Sequence, residues 1–234
     1  MSGHSKWATT HRQKAVVDAK RGAAFTKLGN MIAIAARGGT DPTTNSSLAL
    51  AIEKARAANM PNANIQRAID RINDKNAAAL EEAVYEGYGP GGVGIIIETA
   101  TDNKNRTYPE VRTALTKNGG TMADSGSVMF QFARKGVIRV AASGEEALLT
   151  VLDAGAEDAT EEDGGLTVYT DKKELAKVRE ALLAAGMTVE DAELQYVPNN
   201  TVAIEDDETA RKLTKIIDAL EALDDVTNVA TNAV

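Results

Sequence analysis

Cysteine is absent from the 234 residues, which excludes disulfides, thiolate metal sites and cysteine nucleophiles. Histidine is scarce. His4 and His11 are the only two, and both lie near the N-terminus. A paired-imidazole metal site is therefore not available on a scaffold, and a Ser-His-Asp arrangement would have to recruit that segment. Aromatic residues make up 4% of the chain, so Ala, Leu, Ile and Val must fill its cores. No apolar run approaches the roughly 20 residues that cross a bilayer, and Met1–Lys6 lacks the apolar stretch of a signal peptide. These absences set the expectation of a cytoplasmic protein with no catalytic residues, no metal, no cofactor and no membrane partner.

What is present is an uneven charge. The net charge of −8 hides a basic beginning and an acidic end. Residues 1–76 carry 12 Lys/Arg against 5 Asp/Glu, residues 77–139 carry 7 against 7, and residues 140–234 carry 7 against 22. Such polarity suits a protein whose basic end meets a polyanion, while the acidic end reads as an ordinary solvated surface.

Periodicity divides the chain into three parts. Residues 1–20 read as a basic arm. Phe25, Leu28, Ile32 and Ala35/Ala36 recur at helical spacing and stop at Gly38-Gly39. A second helix follows a cap at Asn45 or Ser46, and a third carries Ile65, Ala68, Ile69 and Ile72. Domain one is thus 1–78, an arm and three helices. From Val84 to Gly92 the chain is a glycine-rich approach to a strand at Val93–Ala100. A helix follows with Pro109 in its first turn, then a strand at Ser127–Phe132. Residues 137–197 show the β-α-β-β-α-β order of a ferredoxin-like unit. A strand at Thr201–Ile204, a helix at Thr209–Leu223 and a strand near Val226–Ala230 complete the chain. The expected fold class is α+β. A three-helix domain precedes two α/β domains, one (79–135 with 199–234) interrupted by the other (136–198, ferredoxin-like).

The glycine loop Gly87–Gly92 precedes a strand and lacks the Gly-Lys-Ser/Thr ending of a phosphate loop, so a tight turn is the better reading. The acidic run Glu157–Asp163 does not match calcium-loop spacing and reads as a solvated hairpin. Asp224-Asp225 reads as structural.

Basic residues carry the functional signal, because phosphate contacts dominate nucleic-acid affinity without reading sequence. Lys6, Arg12, Lys14, Lys20, Arg21, Lys27 and Arg37 face only Asp18 across residues 1–37. Lys20 and Lys27 fall on a helix face opposite the apolar stripe. Trp7, the only tryptophan, stands beside Lys6 in a polar setting, where stacking on a base or on a partner protein competes with a core role. A second cluster is Lys104, Arg106 and Arg112, with Asn103 and Asn105 offering amides. Pairing with Asp102 and Glu110 is the alternative there. The expected nucleic-acid-binding set is Lys6, Trp7, Arg12, Lys14, Lys20, Arg21, Lys27, Arg37, Asn103, Arg106 and Arg112. No known recognition motif is visible, so the residues imply a polyanion without separating DNA from RNA.

Several stretches resemble the YebC/PmpR family: Gly3–Trp7, Asp18–Arg21, Phe25–Leu28, Ala58–Pro61, Tyr85–Val93, Thr101–Thr107 with Glu110–Arg112, and Ala219–Val226. The likeness covers nearly the whole chain. After Phe25–Leu28, where many members carry a basic–acidic pair, this chain has Gly29-Asn30. The resemblance implies a three-domain fold with one domain interrupting another, and a non-enzymatic role in gene expression. That family is generally described as transcriptional regulators that bind DNA. Relatives that include the mitochondrial translational activator of cytochrome c oxidase act in translation, and bacterial ones are implicated in easing ribosomes through proline-rich stretches. The implied partners are DNA, or rRNA or tRNA at the ribosome. Oligomeric state is left open.

Overall fold

The computed structural model describes residues 18–74, 78–162 and 164–234, with side chains from Gly22 onward. Its elements in chain order are α1 (Asp18–Ala35), α2 (Ser46–Ala57), α3 (Asn62–Asp70), β1 (Glu81–Tyr88), β2 (Gly94–Thr101), α4 (Lys104–Thr116), β3 (Thr121–Ala123), β4 (Phe132–Val140), α5 (Glu145–Asp153), β5 (Asp158–Glu162), β6 (Gly165–Asp171), α6 (Leu175–Ala184), β7 (Val189–Pro198), α7 (Asp207–Glu221) and β8 (Val226–Thr231). The described residues fall into two compact units, 132–201 and the remainder. The class is α+β.

In the larger unit α1, α2 and α3 pack around Leu28, Ile32, Leu48, Ile52, Ile65 and Ile69. Asn45 joins two of these helices. Its Oδ1 accepts from the Leu48 N–H at 3.1 Å, which caps α2, while its Nδ2 donates to the carbonyls of Ala35 and Gly39 at 2.8 Å each. The same unit holds a sheet of order β3-β1-β2-β8 with all neighbours antiparallel. Ile95 and Ile97 of β2 point into a core with Val111 and Leu115 of α4 and Leu213, Ile216 and Leu220 of α7. The alternate residue Ile96 is also fully buried, so β2 is covered on both faces and reads as a nearly continuous apolar run. The glycine loop is the β1–β2 turn, with Gly91 at φ 75° and Gly92 at φ 78° and the Gly89 N–H bonded to the Val93 carbonyl at 2.8 Å.

Four sequence expectations change here. The approach to β2 is itself a strand, β1, paired along its length with β2. Helix α4 starts at Lys104, five residues before Pro109, because the Asn103 side chain accepts from the Arg106 N–H at 3.2 Å and caps the helix there. Pro109 therefore sits inside the helix. The strand expected at Ser127–Phe132 is a turn and a single 3-10 turn at Met129–Gln131. The Glu86 carboxylate takes the backbone N–H groups of Gly126, Val128 and Met129 at 2.5, 2.6 and 2.8 Å, so a partner strand is not needed to satisfy them. Likewise Thr201–Ile204 contributes one parallel bridge, Val202 to Ala233, instead of a full strand.

Residues 132–201 form the ferredoxin-like unit, order β5-β6-β4-β7, all antiparallel. Ile138, Val140, Leu166 and Val168 are buried on the strands, Val151 on α5, and Val178 and Leu182 on α6. Of the acidic run, Asp158–Glu162 forms β5, paired with β6; Asp163 lies outside the described residues. Gly136 marks the unit's tightest point. A Cβ there would overlap the Thr170 hydroxyl and stand 2.9 Å from the Leu175 Cβ, and Thr170 is fully buried. Gly136→Ala should therefore cost this unit about 2 kcal/mol by overpacking. Faster hydrogen exchange of the β4 and β6 amides would register it, and exchange like that of the parent chain would refute it. No helix among the described residues is long and apolar enough to cross a membrane.

Candidate nucleic-acid interface

A cation serves a phosphate well only if it is exposed and not tied inward to a buried carboxylate or a backbone carbonyl; an exposed ion pair exchanges readily. Lys6, Trp7, Arg12 and Lys14 lie outside the described residues. Lys20 and Arg21 fall on the first turn of α1, with their side chains outside the description.

Lys27 is not on a free face. Its ammonium donates to the carbonyl of Glu221, the last residue of α7, where unpaired carbonyls and the helix dipole favour a cation. Burial pulls its pKa below the usual lysine range, and the charges of Glu221 and Asp224 pull it partly back. Helical periodicity showed one packed side of α1, through Leu28 and Ile32. A second side also rests on β2 and β8. Asn30 lies on that second side. It is buried, its Nδ2 reaches the Ala100 carbonyl at 3.5 Å, and its Oδ1 accepts from Arg71 at 3.4 Å.

The second expected cluster divides. Asn103 spends its side-chain oxygen on the α4 cap. Arg106 is tied inward: one guanidinium nitrogen donates to both oxygens of Asp225 at 2.8 and 3.0 Å and to Asp102 at 3.2 Å. Thr107 and Thr101 also donate to Asp225, at 2.6 and 3.0 Å. Burial pushes the Asp225 carboxyl up, but the hydrogen bonds from Thr107, Arg106 and Thr101 and the Arg106 charge together hold it below the usual range. Asp225 is thus the hub of a polar junction. Local sequence shows only that Asp224-Asp225 follows a helix, since the partners of Asp225 lie more than a hundred residues away.

These groups border a cleft of about 530 Å³ lined by Thr26, Asn30, Arg71, Asp102, Arg106, Glu110, Asp224 and Asp225. Two guanidiniums face four carboxylates, so the cleft repels a phosphate. The exposed cations lie elsewhere. Arg37 is exposed just beyond α1 and Arg112 is exposed on α4. Lys104, also exposed, pairs with Glu81 at 2.6 Å. The hydrogen bond and charge of Lys104 hold the Glu81 carboxyl below its usual range, and the Arg37 charge adds to this. The fold therefore gathers Arg37 from the helical segment with Lys104 at the start of α4, residues 67 positions apart in sequence.

Two family models match the chain. A family model described as the TACO1/YebC protein N-terminal domain matches residues 5–75. A second, described as the TACO1/YebC second and third domain, matches residues 80–233. A protein of Moorella thermoacetica named a "probable transcriptional regulatory protein" is 51% identical over 240 residues, covering 100% of this chain and 95% of the relative. One of Chlorobaculum tepidum with the same description is 51% identical over 238 residues, covering 99% and 94%. The crystal structure of a conserved hypothetical protein from Aquifex aeolicus matches with a TM-score of 0.91 at 43% identity, covering 98% of this chain and 97% of that one.

Proposed function

The chain belongs to the TACO1/YebC family, and from that premise we propose that it is a non-enzymatic, cytoplasmic regulator of gene expression that binds RNA at the ribosome. The observation that carries this reading is the segregation of charge. Residues 1–37 hold seven Lys/Arg and one acid, and among the described residues Arg37, Lys104 and Arg112 are exposed. A basic arm with Lys6, Trp7, Arg12 and Lys14 suits a crowded RNA pocket of phosphates and unstacked bases. The acidic 140–234 segment disfavours wrapping a duplex. The names of the relatives support a second reading, a transcriptional regulator, for which the polyanion would be DNA.

Sedimentation of a lysate at low and high salt separates the two. Salt-sensitive migration with ribosomes is expected; a position at the top of the gradient at both salts would return the weight to DNA. The arm makes its own prediction. Changing Lys6, Arg12 and Lys14 to Ala should flatten the plot of log affinity against log salt by about 2 units on single strands, at roughly 0.7 per lost phosphate contact. An unchanged slope would leave the contacts with Arg37, Lys104 and Arg112.

A further inference from the structure

Helix α4 has one edge on which the exposed aromatic and the exposed cations coincide. Lys104, Tyr108 and Arg112 are spaced four residues apart, which makes them successive neighbours on the helix surface, about 6 Å apart along its axis. Tyr108 is 44% exposed. The Lys104 side chain is 52% exposed, and Arg112 is exposed. Acidic Glu110 is on the same helix, but two residues from Tyr108 is a rotation of about 200°, so it lies on the far side. Each charge that α4 places on this edge is positive.

We propose that this edge, resting on the nucleic-acid reading above, binds an unpaired RNA strand. Tyr108 stacks on one base, and Lys104, Arg112 and Arg37 meet the flanking phosphates. A single exposed tyrosine is ordinary on a protein surface. This one has a cation one helical turn away on each side, the arrangement that single-stranded nucleic acid exploits, with a π-face for a base and charge for the backbone. Its ring is also held in place. Tyr85 of β1 packs against it with centroids 5.9 Å apart and planes tilted by 57°, so stacking freezes less side-chain motion.

Glu81 supports the assignment. It is an exposed carboxylate hydrogen-bonded to Lys104 and within electrostatic reach of Arg37, so an anion already occupies the place a phosphate would take. An exposed ion pair of this kind is weak and exchanges readily. Duplex DNA keeps its bases stacked inside, whereas RNA loops and bulges present them splayed. The strand assigned is therefore RNA.

The test is fluorescence anisotropy of the full chain with a short labelled oligouridylate, with the same strand annealed to its complement, and with the matching single-stranded DNA. Tyr108→Ala should weaken the single RNA strand about tenfold, leave the duplex unaffected and leave the salt slope unchanged. Tyr108→Phe should bind as the parent does. Lys104→Ala with Arg112→Ala should lower the slope by about 1.4 units. Glu81→Gln should tighten binding, an effect a merely structural residue would not produce. Tight binding by the parent that Tyr108→Ala does not weaken, or weakens equally for duplex, overturns this proposal and spares the wider reading. Single-stranded DNA bound as tightly as RNA overturns the choice of RNA. No binding to any of the three by the parent removes the nucleic-acid reading itself. Unchanged melting of each variant shows that the effects are local.

Discussion

Replacing Asp225 by Ala should destabilise the larger unit by about 4 kcal/mol, near the upper end for a single substitution. Asp225 is 7% exposed and accepts hydrogen bonds from Thr101, Thr107 and Arg106. Thr101 and Thr107 are themselves buried at 1% and 0% exposure, so each loses a hydrogen bond to a charged acceptor that water does not replace, although Thr107 keeps the Asn103 carbonyl at 3.0 Å. Each such loss costs about 1–3 kcal/mol. Arg106 is half exposed and can turn to solvent, so it adds little. Asp225→Asn keeps an oxygen acceptor and should recover part of the loss. The charge gives the effect a pH signature. Because the folded carboxyl is held below its unfolded value, its stabilisation is complete above the unfolded pKa of about 3.9 and disappears as pH falls through the folded one. The parent should weaken in that acid window more steeply than Asp225→Ala. Urea unfolding followed by circular dichroism between neutral pH and pH 3 checks both statements. A loss below about 1 kcal/mol would mean that the junction is no stronger than a surface ion pair.

That junction also shows where reading the sequence stops. Periodicity and capping are local, and they placed what local rules decide. Leu28 and Ile32 stand four residues apart and share a core, Asn45 caps α2, and the apolar β2 lies inside a sheet. The β-α-β-β-α-β order after residue 132 carried its topology with it, because short connections leave few ways to pair four strands. The rest depends on partners far along the chain. Lys27 looks free because its helical stripe shows only one packed side; Glu221, 194 residues later, takes its ammonium. Arg106 looks like a phosphate ligand until Asp225, 119 residues away, claims it. Tyr108 is one of five tyrosines, and its spacing from Lys104 and Arg112 gains meaning only once a helix is placed there. Only the fold, by placing Tyr85, Glu81 and Arg37 near the same edge, gives it a setting.

Glu86→Ala should cost about 3 kcal/mol and loosen one loop before anything else. The Ser127–Phe132 segment alternates like a strand, yet one carboxylate satisfies the backbone N–H groups of Gly126, Val128 and Met129. Glu86, 3% exposed on β1, receives three backbone N–H groups from Gly126, Val128 and Met129. Burial alone would raise its pKa, but these three bonds outweigh it and hold the carboxyl below the usual range. A charged acceptor serving several buried donors is among the stronger hydrogen-bonding arrangements in a protein, and losing it strands each donor. Alanine removes the acceptor for all three at once, whereas Glu86→Gln retains one oxygen and should fall between. Val128 is fully buried and anchors the loop through its side chain, so the loop should loosen without leaving the core. Hydrogen exchange at the Gly126, Val128 and Met129 amides should therefore accelerate in Glu86→Ala by more than the global loss explains. Exchange rising equally across β1, β2 and β8 would show instead that the carboxylate supports the whole sheet. Gln131, which ends the loop, receives the Asn232 side-chain N–H at 2.9 Å, and Asn232 in turn accepts from the Gly94 N–H at 2.8 Å. The loop is thus tied to the start of β2 and to the residue that follows β8. Loosening it should carry to β2 and β8 only as far as that hydrogen-bonded chain extends.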